Sequence, residues 1–283
     1  MNLNELIKVG TKSLNNAGIS NAKNEAKMLL CYVENITNSE LFLSGDEEAH
    51  KDKEAEFFSL IDERSKRKPI QHILETQEFM GLTFRVNEHV LIPRRETEEL
   101  VEIAIDLIKK NDRIKDVLDI CTGSGAIGVS VAKLTNVFVS LADLSKEALD
   151  VAKYNSELNG VNGKITVINS DLFRSINQSF DMIISNPPYI ESTEIPKLQQ
   201  EVKDYEPLMA LDGGEDGLCF YRRIVNEAYD HLNDKGFMLL EIGYNQGEEL
   251  IKMLNEDGRY INVKVLKDLS KNDRMVVAEK REV

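Results

Sequence analysis

Apolar positions in the first seventy residues recur at helical spacing. Leu3, Leu6, Ile7, Leu14 and Ala17 share one face, and Gly18 ends the run. A second helix carries Ala22, Ala26, Met28, Leu29, Leu30 and Val33. A third runs from about Asp52 to Ser65, with Ala55, Phe58 and Ile61 on one side. The pattern then changes. Phe79, Leu82, Phe84, Val86, Val90 and Leu91 fall in short extended runs broken by Gly81 and Asn87-Glu88, and Pro93 follows. This pattern predicts a β-hairpin or paired strands, a connector between domains.

From Glu96 onward, helical and extended patterns alternate. Helices are expected at 97–109, 126–134, 145–159, 218–232 and 247–254. Strands are expected at 116–120, 137–142, 165–169, 181–185, 237–242, 260–266 and 275–279. Such alternation points to an α/β fold whose mostly parallel sheet is covered on both faces. The loop between the last two strands is too short for a helix, so they should pair antiparallel.

Composition narrows the class. The chain has 283 residues, 42% of them apolar, enough for a sizeable core in one or two domains. Lys plus Arg is 35 and Asp plus Glu is 49, a formal charge of −14, which argues against a surface made for a phosphate backbone. Residues 1–70 contribute 10 − 12 = −2 of this, so the acidity lies in the larger part. Cys31, Cys121 and Cys219 are far apart, as are His50, His72, His89 and His231. Neither a disulfide framework nor a metal site is expected, and a reducing compartment suits the cysteines. The start of the chain lacks a signal-peptide pattern, and no stretch is apolar for membrane-spanning length. A soluble cytoplasmic protein is expected.

Candidate chemistry begins at Asp119-Ile120-Cys121-Thr122-Gly123-Ser124-Gly125-Ala126-Ile127-Gly128, between a strand and a helix. Gly123, Gly125 and Gly128 match G-x-G-x-x-G in the context that gives the motif meaning. Asp143, at the end of the next strand, is placed to accept both hydroxyls of a ribose. On its own it would equally cap the following helix. Asp171 and Leu172, after the third strand of the set, can border an adenine, or belong to a solvated loop. NAD, FAD and S-adenosylmethionine all carry an adenosine that suits this geometry.

Asn186-Pro187-Pro188-Tyr189 closes the strand at 181–185. Consecutive prolines fix φ twice and remove two N–H donors, and Asn186 is held extended by the proline after it. An amide or aromatic amino nitrogen is a poor nucleophile because its lone pair is delocalised. The side-chain oxygen of Asn186 and the carbonyl of Pro187 can receive its two N–H groups and leave the lone pair aimed at an electrophile. Tyr189 can stack on a planar group beside a sulfonium. A nicotinamide enzyme has no use for such a turn, whereas a methyl donor does.

With these residues in view, the sequence resembles the class I S-adenosylmethionine-dependent methyltransferases, and within them the release factor glutamine methyltransferase family. The resemblance runs through Pro69-Ile70-Gln71-His72-Ile73-Leu74, Leu91-Ile92-Pro93-Arg94 with Glu96-Thr97-Glu98, and both turns. It continues in Tyr205-Glu206-Pro207, Asp216-Gly217-Leu218 and Leu240-Glu241-Ile242-Gly243. It implies a Rossmann-like domain at 96–283, with a seven-stranded, mostly parallel sheet containing an antiparallel strand. A helical substrate-recognition domain at 1–72 and a hairpin connector at 73–95 would precede it. It also implies methyl transfer from S-adenosyl-L-methionine to the glutamine of the Gly-Gly-Gln motif in peptide chain release factors. Cys121, Thr122, Gly123, Ser124 and Gly125 would take the methionine part of the donor, Asp143 the ribose, and Asp171 and Leu172 the adenine. Asn186 would meet both donor and substrate, and Pro187, Pro188 and Tyr189 would complete the amide site. Asn186, Pro187 and Tyr189 are the expected catalytic group. A monomer without membrane or direct nucleic-acid binding is expected.

Three positions depart from the family pattern. Cys121 and Lys271 stand where glycine is usual, and Arg95 where proline is usual. The competing expectation is an adenine amino-methyltransferase acting on DNA or RNA, which would hold a flipped base in the same turn. A third is a protein that binds an adenosine ligand or a release factor without chemistry.

Overall fold

The computed structural model describes residues 1–282. The chain divides into two compact units: Met1–Glu75 together with Gln199–Tyr205, and Thr76–Leu198 together with Glu206 onward.

The first unit is helical: α1 (Leu3–Asn16), α2 (Ala22–Glu34), α3 (Asn38–Ser44), α4 (Lys51–Ser65) and α5 (Ile70–Leu74). Asn2 and Glu5 form a capping box that starts α1, and Thr37 and Glu40 form one that starts α3. Leu6, Leu14, Leu29, Leu30, Phe57 and Ile61 fill the core. The buried face of α4 is therefore set by Phe57 and Ile61, while Ala55 is exposed and Phe58 half-buried. A helix turns 100° per residue, so an error of one position in choosing between adjacent phenylalanines rotates the predicted face off the core. Buried Arg64 donates to Glu25 at 2.5 Å and to Glu201 at 3.1 Å, and Arg67 donates to Glu201 at 2.7 Å. These charge-assisted bonds draw Gln199–Tyr205 into the helical unit from far along the sequence.

The second unit opens with a hairpin, β1 (Thr76–Phe79) and β2 (Leu82–Arg85). It starts earlier than the apolar pattern predicts and leaves Val86–Pro93 without strand pairing. Met80 and Gly81 both have positive φ, the two-residue turn whose twist suits paired strands. Glu98 supports that turn by accepting from the Met80 N–H at 2.7 Å. Then follow α6 (Arg95–Lys110), β3 (Asp116–Ile120), α7 (Ala126–Leu134), β4 (Phe138–Asp143), α8 (Lys146–Leu158), β5 (Ile165–Asn169) and β6 (Phe180–Ser185). After α9 (Gln200–Tyr205), which packs with the first unit, come α10 (Cys219–His231), β7 (Leu232–Glu241), α11 (Gly247–Asp257), β8 (Tyr260–Lys267) and β9 (Asp273–Lys280).

The seven strands lie in the order β5-β4-β3-β6-β7-β9-β8. β5, β4, β3, β6 and β7 run parallel, and β9 is antiparallel to both β7 and β8. This is the α/β sheet expected from the alternation. Buried residues cover both faces, with Val117, Leu141 and Ile184 on one and Leu118, Ile183 and Leu240 on the other. That two-sided burial explains the consecutive apolar residues Val117-Leu118, Met182-Ile183-Ile184 and Met238-Leu239-Leu240 in the central strands. The chain builds outward from β3 through β4 to β5, then returns to lay β6 on the opposite side of β3. The crevice beyond the carboxyl ends of β3 and β6 is the switch point, where ligands bind in such sheets. Ile120 and Ser185 are register partners at that point. Among the described residues, no helix is long and apolar enough to cross a membrane.

Candidate active site

The glycine turn joins β3 to α7. Cys121, Gly123 and Gly125 all have positive φ. Buried Asp119 binds both ends of the turn through one oxygen, accepting from Thr122 Oγ1 at 2.6 Å and from the Gly128 N–H at 2.9 Å. Its burial pushes the carboxyl pKa up to about 7, against the pull of those two bonds. Gly128 packs flat on the sheet. A Cβ there would overlap Leu141 Cδ2 and stand 3.0 Å from Asp119 Oδ2. Gly128→Ala is therefore expected to destabilise the chain by about 1–3 kcal/mol, read as a lower denaturant midpoint at unchanged slope. From behind, fully buried Asn155 donates to the carbonyls of Ser124 at 2.8 Å and Arg85 at 3.0 Å, and accepts from the Arg85 N–H at 2.7 Å. It joins the turn to β2, a role with no local sequence signal.

Asp143 ends β4 opposite the turn. Its Oδ2 accepts from the Gly123 N–H and its Oδ1 from the Ser145 N–H, both at 2.9 Å. Burial raises its pKa, and these main-chain donors oppose the rise. A carboxylate has about four acceptor positions, so a diol can still be received. A Cβ on Gly123 would meet nothing within 4 Å, so open space lies against its main chain. Asp171 and Leu172 follow β5. Leu172 is buried, and Asp171 pairs with Arg223 at 2.8 Å.

The Asn186-Pro187-Pro188-Tyr189 turn leaves β6 beside the glycine turn, and Ser185 Oγ donates to the Ile120 carbonyl at 2.7 Å. Asn186 is half-buried, and its Nδ2 lies 3.3 Å from Thr97 Oγ1. Tyr189 donates its hydroxyl to Glu241 Oε1 at 3.3 Å. Burial raises the pKa of Tyr189, and the Glu241 charge adds to the rise, so this phenol stays protonated. The main chain of Tyr189 is clamped as well. Gln246 donates to its carbonyl at 3.0 Å, and Gly213 and Gly217 leave no room between their own backbone and that of Tyr189.

One cavity of about 210 Å³ brings these features together. Cys121, Thr122, Gly123, Ser124, Asp143, Asp171, Leu172, Asn186 and Pro188 line it. Gly125 holds the turn's shape below it, and Tyr189 is directed toward Glu241. Further wall comes from Val90, Leu91 and Pro93 on one loop, Pro207, Met209 and Ala210 on another, and Phe220. Leu91, Pro93 and Pro207 lie in stretches that carry the family resemblance, with no site role assigned to them there. Glu206 holds those two loops together, accepting from Arg94 at 2.5 Å and from the Ile92 N–H at 3.4 Å. The apolar wall, the Asp143 carboxylate and the bare Gly123 main chain fit an adenosine-bearing group whose diol lies on the acid.

The departures from the family pattern fall where backbone geometry is demanding. Cys121 and Lys271 both have positive φ, where a side chain costs roughly 1–2 kcal/mol and glycine costs nothing. Arg95 is the first residue of α6, the position where proline is preorganised. The Cys121 thiol is held protonated, chiefly by burial and then by the Asp143 charge.

Residues 5–74 match the family model "PrmC N-terminal domain", and residues 100–202 match "Methyltransferase small domain". A release factor glutamine methyltransferase of Clostridium acetobutylicum is 40% identical over 258 residues, covering 90% of both chains. The Clostridium botulinum protein of the same name is 38% identical, covering 99% of this chain and all of its own. That of Geobacter sulfurreducens is 40% identical over 85% of this chain and 84% of its own. Among solved structures, a methyltransferase from Pyrococcus furiosus aligns with a TM-score of 0.52 and 22% identity, over 75% of this chain and 94% of its own. A ribosomal protein L11 methylase from Lactobacillus delbrueckii aligns at 0.50 and 19%, over 67% and 81%. These structural likenesses establish the shared fold.

Proposed function

The chain belongs to the release factor glutamine methyltransferase family, and on that premise we propose that it methylates the glutamine of the Gly-Gly-Gln motif in peptide chain release factors, on the side-chain amide nitrogen, with S-adenosyl-L-methionine as donor. The observation that carries this proposal is the placement of Asn186 and Pro188 in the same cavity as the glycine turn and Asp143. A turn suited to a planar NH₂ group faces a site suited to an adenosine.

The donor supplies an electrophilic methyl carbon on a sulfonium. Residues 121–125 would hold its methionine end, Asp143 its ribose, and Asp171 with Leu172 its adenine. Asn186 Oδ1 and the Pro187 carbonyl would receive the two N–H groups of the glutamine amide and aim the nitrogen lone pair along the line of attack. Val90, Leu91, Pro93, Pro207 and Phe220 would limit the competition of water for those acceptors. The new N–CH₃ bond forms as the S–CH₃ bond breaks, and the substituted nitrogen then releases one proton to solvent. Positioning is the main contribution, since proton loss follows transfer and no strong base is required.

The same proposal puts the protein in the cytoplasm, acting as a monomer on a protein substrate. The curated relatives do not favour adenine methylation in nucleic acid. The test is labelling of a purified release factor by the chain and a radiolabelled donor, beside a release factor whose Gly-Gly-Gln glutamine is replaced by alanine. Label on the native factor alone is expected, and equal labelling of both would overturn the site assignment.

A further inference from the structure

Two residues outside the turn bond to its side chains. Thr97 lies in the first turn of α6 and Glu241 is the last residue of β7; both are buried. Thr97 Oγ1 and Glu241 Oε2 are 2.6 Å apart, and Asn186 Nδ2 is 3.3 Å from the same Thr97 oxygen. Tyr189, the other side chain of the turn, donates to the second Glu241 oxygen. Glu241 is itself placed by Tyr221, whose hydroxyl donates to the Glu241 main-chain carbonyl at 2.7 Å.

Burial raises the Glu241 pKa, and the Thr97 hydrogen bond, the Arg274 charge and the Tyr189 hydrogen bond oppose that rise and favour the carboxylate. A hydroxyl has one proton to give, and an ionised carboxylate can only accept. Thr97 must therefore donate to Glu241, which leaves only lone pairs facing Asn186. Asn186 can satisfy those lone pairs in one way, by turning its NH₂ toward Thr97. Its oxygen then faces the opposite way. We propose that Thr97 and Glu241 are positioning residues that set the Asn186 amide with its oxygen toward the substrate, so that the turn accepts from an NH₂ group instead of donating to it. This rests on the methyl-transfer function proposed above and deepens it. A site presenting an asparagine NH₂ would repel the N–H groups of a glutamine amide. The direction of one buried proton thus selects an amide nitrogen, a donor, over a carbonyl oxygen, an acceptor, as the group received.

The test compares Thr97→Val, Thr97→Ser and Glu241→Gln in the full chain, with the native release factor as substrate. Valine matches threonine in shape and lacks the hydroxyl; serine keeps it. Glutamine can donate toward Thr97 and so removes the fixed proton direction. Thr97→Val is expected to lower kcat by about 30-fold, within the range typical of lost supporting hydrogen bonds, with KM for the release factor and donor Kd changed by less than about twofold. Glu241→Gln should lower kcat at least as far, and Thr97→Ser should stay within about threefold of wild type. On an Asn186→Ala background, Thr97→Val should cost nothing more, because Thr97 acts through Asn186. If Glu241→Gln fails to fold, the valine and serine pair decides. Equal rates for wild type and Thr97→Val, equal loss in Thr97→Val and Thr97→Ser, or costs that multiply on the Asn186→Ala background would overturn the proposal alone. Absence of transfer by the wild-type chain would overturn the function and this proposal together.

Discussion

Asn186→Ala is expected to lower the rate of methyl transfer by about a thousandfold, roughly 4 kcal/mol of barrier, while donor affinity stays within about threefold of wild type. In the proposed mechanism its amide oxygen is the side-chain acceptor for the substrate NH₂ group, because Pro187 and Pro188 contribute main-chain atoms alone and the Tyr189 hydroxyl is committed to Glu241. Without it the glutamine nitrogen can still enter the cavity, but its lone pair is no longer aimed. The donor site is expected to survive because the glycine turn and Asp143 are shaped by bonds that do not include Asn186. Single-turnover labelling measures the first quantity and titration calorimetry the second. Turnover equal to wild type would remove Asn186 from the mechanism.

The opposite pattern is expected for Asp143→Ala. Donor Kd should rise about a hundredfold, close to 3 kcal/mol, the scale of one or two hydrogen bonds to a charged group. Two effects combine there. The ribose loses its acceptor, and the Gly123 and Ser145 N–H groups lose the carboxylate that orders them. At saturating donor, kcat should return to within several-fold of wild type, since the amide turn on β6 is intact. Calorimetry with the donor and initial rates across donor concentrations check this. Unchanged Kd would show that the carboxylate only caps α8. Together the two variants separate the halves of the cavity, one moving kcat and the other Kd.

Much of this site was legible before folding was considered, for a local reason. Glycines at 123, 125 and 128 and prolines at 187 and 188 restrict or release their own backbone, so their meaning travels with the sequence. Even the departures follow this rule: Cys121 and Lys271 replace expected glycines, and both sit at positive φ. The order of strands and helices was equally legible, because burial on both faces leaves short runs of consecutive apolar residues such as Met182-Ile183-Ile184 and Met238-Leu239-Leu240. Errors arose where two local patterns were nearly equal. Phe57 took the core position assigned to Phe58, and the hairpin, broken at Gly81 as the pattern has it, pairs Thr76–Phe79 with Leu82–Arg85 and leaves residues 86–93 unpaired.

The glycine turn, Asp143 and the Asn186-Pro187-Pro188-Tyr189 turn were thus marked by the sequence as a set of parts. Only the tertiary structure decided how they are held. Thr97 and Glu241 are 144 positions apart and meet at 2.6 Å. Arg64 and Glu201 are 137 apart and join Gln199–Tyr205 to the helical unit. Neither pair leaves a periodic or spaced signal, because a hydrogen bond depends on distance in space and a proton's direction depends on every partner it could reach. The chain specifies the amide turn locally, and the packing of α6 against β7 specifies which face of that amide is offered.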